Sequence, residues 1–158
     1  MWKICGRKIC LHKVLPMTEI VPMIEDAIKD GGEFRLITAG TSMLPMLRDR
    51  KDTVILRKVE GKLKKYDLPL YKRADGSFVL HRIVGIGKDG YKMSGDNHPM
   101  IEYPVTDEQI VAVVTGFIKD GKLTKTDSFG YKFYCVWHCN VTKPMRELTL
   151  KLRQAVKR

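Results

Sequence analysis

The chain has 158 residues, 44% of them hydrophobic and 30% charged, and a formal net charge of +11. This length and composition predict one folded domain with a sizeable core and exclude a disordered chain. The longest apolar runs have strand length, and the N-terminus lacks an apolar signal core, which excludes a membrane span and predicts a cytoplasmic protein.

The first predicted unit, residues 1–32, is a basic segment followed by an amphipathic helix. Apolar residues recur at intervals of three and four over residues 17–30, as they do on one face of a helix. We expect Pro22 near the first turn of this helix, because proline lacks the amide that an interior turn needs. Gly31 and Gly32 are expected to end it.

From residue 33 to residue 126 the sequence changes to short β-rich runs separated by turns. Asp-Gly pairs at 75–76, 89–90 and 120–121 indicate hairpins, because glycine accepts the positive φ of tight turns. Short strands with such frequent turns predict a mainly β domain, a coiled antiparallel barrel-like sheet rather than a β-α-β fold. The predicted strands are 34–39, 53–58, 68–72, 78–86, 91–95 and 110–119.

The last predicted segment, residues 127–158, is aromatic and basic, and we expect it to pack on the same domain. Residues 129–139 suit a helix or a strand. Thr142 and Pro144 are typical of an N-cap and a first turn, and they would open a second amphipathic helix. Its apolar face would carry Met145, Leu148, Leu152 and Val156.

Four cysteines pair by spacing as Cys5/Cys10 and Cys135/Cys139, and each pair has a histidine nearby. These spacings differ from those of ordinary zinc sites. Without an export signal, disulfides are not expected either. We therefore expect buried free thiols and neither a metal nor another cofactor.

The stretch AGTSMLPML, residues 39–47, places Ser42 in a tight and mostly apolar turn. A serine hydroxyl is a poor nucleophile at neutral pH, so catalysis would require a base beside it. That base must be held in the right tautomer, and hydrogen-bond donors must stabilise the oxyanion. By itself a serine after Gly-Thr is more often a turn or cap residue.

Among the four histidines, His81 is the best-placed base, because it lies in the predicted strand FVLHRIVGI. Strand alternation would aim its imidazole to the same face as Val79 and Ile83 and would hold it more firmly than a loop. Beyond the next hairpin, the SGDN stretch is expected to bring Asp96 back toward His81. Taken singly, however, a histidine on an apolar face is usually structural, and Asp96 is typical of a turn.

The elements GTSMLPML, LHRIVGI and SGDN, in this order within one small β domain, resemble the signal peptidase I family of serine endopeptidases. The LexA-like peptidases are relatives of that family, and the resemblance runs from about residue 34 to residue 118. It implies Ser42 as the nucleophile of an acyl-enzyme mechanism and His81 as its base, where bacterial members carry lysine. It also implies an acidic partner for His81, with Asp96 the first choice and Glu102 the second.

The resemblance further implies a shallow apolar groove, in which an extended peptide lies by strand addition. Met43 and Pro45 would shape the turn and line that groove. Gly40 stands where many bacterial relatives have a hydroxyl, so the Ser42 amide, with Thr41 or a neighbouring amide, would stabilise the oxyanion. The expected substrate is a leader-like or signal-like segment of a peptide or protein.

Two other functions stay open. A LexA-like self-cleaving regulator would need a Ser-Lys pair and an upstream helix-turn-helix, for which one helix is too little, so nucleic acid is not the expected partner. A catalytically silent peptide-binding or membrane-surface module is the other. Basic residues crowd both ends of the chain, and aromatic residues there suit contact with an anionic membrane. Those aromatic residues are Trp2, Phe133, Tyr134 and Trp137.

Overall fold

A computed structural model describes residues 2–5, 10–145 and 148, and describes side chains from residue 15 onward. The fold is mainly β, with a curled antiparallel half-barrel sheet, an N-terminal helix and a C-terminal helix, so the predicted fold class is confirmed. The strands are β1 (Trp2–Cys5), β2 (Cys10–Leu15), β3 (Phe34–Ile37), β4 (Thr53–Arg57), β5 (Pro69–Lys72), β6 (Phe78–Leu80), β7 (Arg82–Ile86), β8 (Tyr91–Ser94), β9 (Glu102–Val105), β10 (Ile110–Lys119) and β11 (Lys122–Lys125). The helices are α1 (Met17–Ile28) and α2 (Phe129–Trp137), with a 3-10 turn at Asp107–Gln109 and a π-helical stretch at His138–Thr142.

The larger sheet has the strand order β2-β1-β3-β4-β10-β5-β6, and β10 is its longest strand. One edge of β10 pairs with β4, while the other edge pairs first with β5 and then with β11. Register shifts after Ile110 and Val114 bend this strand, because a bulge adds local twist. The sheet therefore curls, and β7, β8 and β9 form a second sheet of three strands.

All three predicted hairpin turns are confirmed. The Asp-Gly pairs join β5 to β6, β7 to β8, and β10 to β11, all antiparallel. The glycine of each pair has a positive φ, which is the conformation that these turns require.

Helix α1 covers the main core, which it shares with the larger sheet and with α2. Ile20, Ile24 and Ile28 are buried on its inner face, as the apolar spacing predicted. Pro22 lies in the second turn, next to the first turn near which it was expected. Its ring faces solvent, and the apolar burial on the opposite face outweighs the missing backbone hydrogen bond.

The C-terminal segment is helical from Phe129, and a new helix does not begin at Thr142. The chain passes from α2 through the π-helical stretch into helical residues 143–145. The Thr142 hydroxyl donates back to the His138 carbonyl (3.1 Å) instead of capping a following turn. Met145 and Leu148 are exposed, while Leu152 and Val156 lie outside the described residues. Neither helix in the described part of the chain has the length and apolarity needed to cross a membrane.

The predicted strand 78–86 is interrupted at His81, where the chain leaves the larger sheet and enters the smaller one. Four consecutive residues, 80–83, are buried, so the expected alternation of faces is wrong at this point. The reason is topological: a segment that crosses between two sheets has core on both sides, and both sets of side chains are enclosed.

Four strands, β1, β2, β9 and β11, lie outside the predicted strand ranges, although the Asp120-Gly121 hairpin implied the last of them. β1 and β2 form a hairpin that extends the larger sheet beside β3, and β9 completes the smaller sheet. The sequence of β9, EYPV, contains a proline and exposes two of its four residues, so it lacks the pattern of an internal strand.

Candidate active site

The turn that carries Ser42 is anchored by apolar side chains. The main core buries Met43, Met46 and Leu47. Ser42, directly before Met43 in the chain, is half-buried. Gly40 has φ +98°, a conformation that side chains rarely adopt, and its amide donates to Asp49 Oδ1 (2.7 Å). Apolar packing therefore holds one side of the turn, and the Gly40–Asp49 hydrogen bond holds its first residues after β3.

A buried carboxylate holds the far arm of this turn. Asp52 accepts hydrogen bonds from the backbone amide (2.8 Å) and guanidinium (2.6 Å) of Arg48. Lys119, at the end of β10, donates to the Met46 carbonyl (2.7 Å) and lies 3.8 Å from Asp52. The serine turn is therefore fastened to the central strand of the larger sheet.

The loop after β8 crosses directly over the serine turn. The Asn97 amide donates to the Ser42 carbonyl (2.7 Å), and the Asn97 side chain donates to the Thr41 carbonyl (3.0 Å). A Cβ added to Gly95 would lie 2.7 Å from the Ser42 carbonyl oxygen and 3.3 Å from His81 Nε2. The structure therefore brings Ser42, His81 and the SGDN loop together, and a glycine at position 95 permits the close approach.

His81 is held by its other ring nitrogen. Nδ1 lies 3.3 Å from the Tyr71 hydroxyl and 3.3 Å from Glu102 Oε1. Because an ionised carboxylate only accepts hydrogen bonds, this contact places the proton on Nδ1 and leaves Nε2 as the basic atom. Burial lowers the pKa of His81 from 6.5 to about 4, although the negative charge of Glu102 opposes that shift. At neutral pH the imidazole is therefore uncharged and able to accept a proton.

Glu102 is fixed on two sides. Burial disfavours its charged form, but hydrogen bonds from Arg73 and Tyr71 outweigh that effect and lower its pKa. Arg73 Nε donates to Oε2 (2.7 Å) while its Nη2 contacts Oε1, and the Tyr71 hydroxyl donates to Oε2 (2.8 Å). The carboxylate is ionised and oriented toward His81.

Asp96 does not orient His81, so the first choice among the two predicted carboxylates is wrong in its geometry. Both oxygens of Asp96 accept from the guanidinium of Arg82, at 2.8 Å each, and both side chains are buried. The cause lies in the interruption at His81: the next residue points into the core and needs a buried counter-ion there. Glu102, the second choice, takes the place beside the imidazole.

Arg82 also connects three parts of the fold. Besides the Asp96 carboxylate, its guanidinium reaches the Met46 sulfur (2.7 Å) under the serine turn. It also donates to the Tyr131 hydroxyl (2.8 Å) and the Cys135 sulfur (2.9 Å) on α2. The Arg82–Asp96 ion pair therefore connects the serine turn, the SGDN loop and α2.

Sequence reasoning missed Tyr71 and Arg73. A signal was present, because the Asp75-Gly76 hairpin predicts that β5 returns alongside the segment before His81. Tyr71 is paired with Val79 in that hairpin, which brings its ring to 6.2 Å from the His81 ring. Arg73 follows the last residue of β5 and is two residues from Tyr71, a spacing that directs both side chains to the same face of an extended chain.

The residues predicted to line the substrate groove or the oxyanion position differ in exposure. Met43 is only 5% exposed and packs in the core, so it shapes the turn but does not line a groove. Pro45, Thr41 and Gly40 are exposed. Their accessibility is compatible with substrate contact, which stays a prediction.

The cysteines with described side chains lie in α2 and in the π-helical stretch that follows it. Cys135 is buried and Cys139 is partly buried, and both are free thiols. Burial raises the pKa of both thiols, which keeps them protonated and unreactive at neutral pH. The side chains of Cys5 and Cys10 lie outside the described residues.

Comparison of the chain with protein-family models, with curated proteins and with solved structures gives no match. Any function proposed for it therefore depends on its own residues and on their geometry.

Proposed function

We propose that this protein is a serine endopeptidase of the signal peptidase I type that cleaves an extended peptide segment. Ser42 is the nucleophile, His81 the general base and Glu102 the group that orients the imidazole. The observation that carries the proposal is the position of His81. Its Nδ1 contacts the Glu102 carboxylate, while its Nε2 faces the point where Gly95 passes the Ser42 backbone.

In this mechanism Ser42 Oγ attacks the scissile carbonyl carbon while His81 Nε2 accepts the hydroxyl proton. The Glu102 carboxylate stabilises the imidazolium that forms. Collapse of the tetrahedral intermediate breaks the C–N bond, and the imidazolium gives its proton to the leaving amine. Water, deprotonated by His81, then releases the acyl group from Ser42.

The Ser42 hydroxyl and His81 Nε2 make no hydrogen bond to any described residue. Both groups are thus available, and we expect the hydrogen bond between them to form when substrate occupies the site. Catalytic hydrogen bonds commonly shorten only at that stage. The Ser42 amide also has no acceptor among the described residues, which suits a donor to the oxyanion.

An extended substrate can bind along β6. This strand is the last of the larger sheet, so one of its edges has no partner strand among the described residues. The edge leads directly to His81, and a peptide added there would pass its carbonyls across the base. Backbone pairing gives affinity for any extended chain, so side-chain specificity must come from pockets beside the edge.

Substitution of the nucleophile tests this proposal. Wild-type protein should release nitrophenolate from p-nitrophenyl acetate in a burst, because the acetyl group is transferred to Ser42 Oγ. It should also cleave members of a mixed peptide library, as read by mass spectrometry. Ser42→Ala should abolish the burst and reduce cleavage by about 1,000-fold or more.

Ser128→Ala is the matched control: Ser128 lies at the start of α2, outside the candidate site, and its hydroxyl donates to the Lys125 carbonyl. It should retain both activities. If Ser42→Ala acylates and cleaves like the wild type, the peptidase assignment is wrong. A folded wild type without burst or cleavage would leave a peptide-binding module of the same fold.

A further inference from the structure

Helix α2 is apolar on both sides, and only one of them is covered. Its inner face carries Tyr131 and Cys135, which are buried against Arg82 and the main core. Its outer face carries Phe129, Phe133 and Trp137, which are 85%, 61% and 52% exposed. Apolar side chains on two faces of a helix are normally enclosed on both, so the exposed outer face is unusual in an aqueous setting.

The exposed residues form one continuous surface, which we call the aromatic face. Phe129, Phe133 and Trp137 are four residues apart, so they follow one another along the same side of the helix. The rings of Phe133 and Trp137 are stacked, with centroids 6.3 Å apart. Stacked, exposed aromatic rings of this kind suit the boundary between water and hydrocarbon.

Positive charge accompanies the aromatic face along the chain. Lys132 is exposed within α2, and Lys125 lies just before the helix, where its carbonyl accepts from Ser128. Residues 129–158 contain seven Lys or Arg residues and a single acidic residue, Glu147. One of the seven, Lys143, is buried and faces the candidate site, which leaves six for contact with a partner surface. Such a segment attracts a surface of negative charge and repels a second copy of itself.

We propose that the aromatic face of α2 docks on an anionic lipid bilayer, with the aromatic rings at the interfacial depth and the basic residues among the headgroups. The apolar surface supplies the hydrophobic part of the binding free energy, and the basic segment supplies an electrostatic part. Two such contributions together are what stable peripheral binding requires.

Docking on this face would place the candidate active site close to the bilayer. On its inner side the helical segment holds the SGDN loop: the Tyr134 hydroxyl donates to Asp96 (3.4 Å). His138 Nε2 lies 3.1 Å from the Asp96 carbonyl, and Lys143 donates to the Gly95 carbonyl (2.9 Å). The proposal does not depend on catalysis, and Ser42→Ala should bind vesicles as the wild type does.

Vesicle sedimentation tests the docking. Protein should pellet with phosphatidylcholine vesicles containing about one third phosphatidylglycerol, and much less with pure phosphatidylcholine. Raising the salt to physiological strength should weaken binding without abolishing it, because the apolar contribution is insensitive to screening. The triple variant Phe129→Ser/Phe133→Ser/Trp137→Ser should bind about ten-fold more weakly or worse.

A matched control removes exposed apolar side chains elsewhere. Ile86→Ser/Leu123→Ser alters two side chains that are each 56% exposed and lie outside α2, and it should bind like the wild type. A second readout uses Trp2→Phe protein, in which Trp137 is the sole tryptophan. Its fluorescence should shift to the blue when phosphatidylglycerol vesicles are added, and circular dichroism should show that every variant is folded.

Three results would overturn the proposal. The first is a failure of folded wild type to pellet with the anionic vesicles. The second is unchanged pelleting of the triple variant, which would leave charge alone as the attraction. The third is a vesicle-free dimer that the triple variant dissociates, since a second copy would then cover the aromatic face.

Discussion

Gly95 is the position at which a single methyl group would disturb the candidate site most directly. Its φ is not positive, so the requirement for glycine comes from space and not from backbone conformation. Its neighbours include the backbone carbonyl of Ser42, the proposed nucleophile, and Nε2 of His81, the proposed base.

We expect Gly95→Ala to lower the rate of the acetyl burst by about 100-fold, because a displacement near 1 Å is enough for such a loss. The new Cβ would lie 2.7 Å from a backbone oxygen, and either the loop or the serine turn must shift. Gly130→Ala is the control, since a Cβ there meets nothing within 4 Å. It should retain the burst and gain up to about 1 kcal/mol of stability, as measured by urea unfolding.

The pKa of His81 predicts the pH dependence of acylation. The neutral imidazole is the active form, so the burst rate should be constant above about pH 5 and fall as the pH drops through about 4. Circular dichroism at each pH separates this loss from unfolding. Stability should change in the same direction, because the pKa of His81 is lower in the folded state than in the unfolded state. The contribution of the neutral His81 to the free energy of unfolding is present above pH 6.5 and is lost as the pH falls through about 4.

Removal of the Glu102 charge should shift this acid limb, the fall of the burst rate near pH 4, to lower pH, because the carboxylate raises the pKa of His81. Glu102→Gln should also slow the burst at neutral pH, since the imidazolium loses its counter-charge. An acid limb that stays in place in Glu102→Gln protein would show that Glu102 does not act on the base.

At the scale of elements, the Arg82–Asp96 pair holds β7, the loop after β8, and α2 against one another. Both side chains are buried, and the guanidinium donates to partners on every side. The pair is best understood as structural support for the site. Its removal should therefore act on folding first and on chemistry second.

Asp96→Asn should lower the free energy of unfolding by about 3–5 kcal/mol, because it leaves a buried guanidinium without its counter-charge. Asp120→Asn is the matched control: Asp120 pairs with Arg48 (2.9 Å) at an exposed site, and its loss should cost less than about 1 kcal/mol. Urea unfolding of the two variants measures the difference. Equal and small losses would contradict the supporting role.

The elements also show where pattern reasoning succeeds. The helix over residues 17–28 and the three Asp-Gly hairpins are local features, in which neighbours within a few positions decide the outcome. Reasoning failed at His81 and Thr142. At both places a long-range contact, between sheets or between α2 and the SGDN loop, overrides the local preference of the segment.

At the scale of the whole molecule, charge and apolar surface are distributed unevenly. The formal charge of +11 includes many side chains at the two ends of the chain, whereas the candidate site is a balanced network of one carboxylate, one arginine and one imidazole. The basic ends therefore support the proposed membrane docking, and the buried network supports the proposed catalysis.

The sequence alone predicts the β-rich class, the hairpins and the first helix. It also supplies the three motifs that lie together at the candidate site. Their order and residue types suffice, because hairpins return neighbouring strands to each other. Tertiary structure alone decided which carboxylate faces His81. At the junction of the two sheets the Arg82 side chain points into the core, and Asp96 is buried with it as its counter-ion. Glu102 is therefore the carboxylate beside His81. The direction of a side chain at such a junction depends on both sheets, so no pattern of nearby residues predicts it.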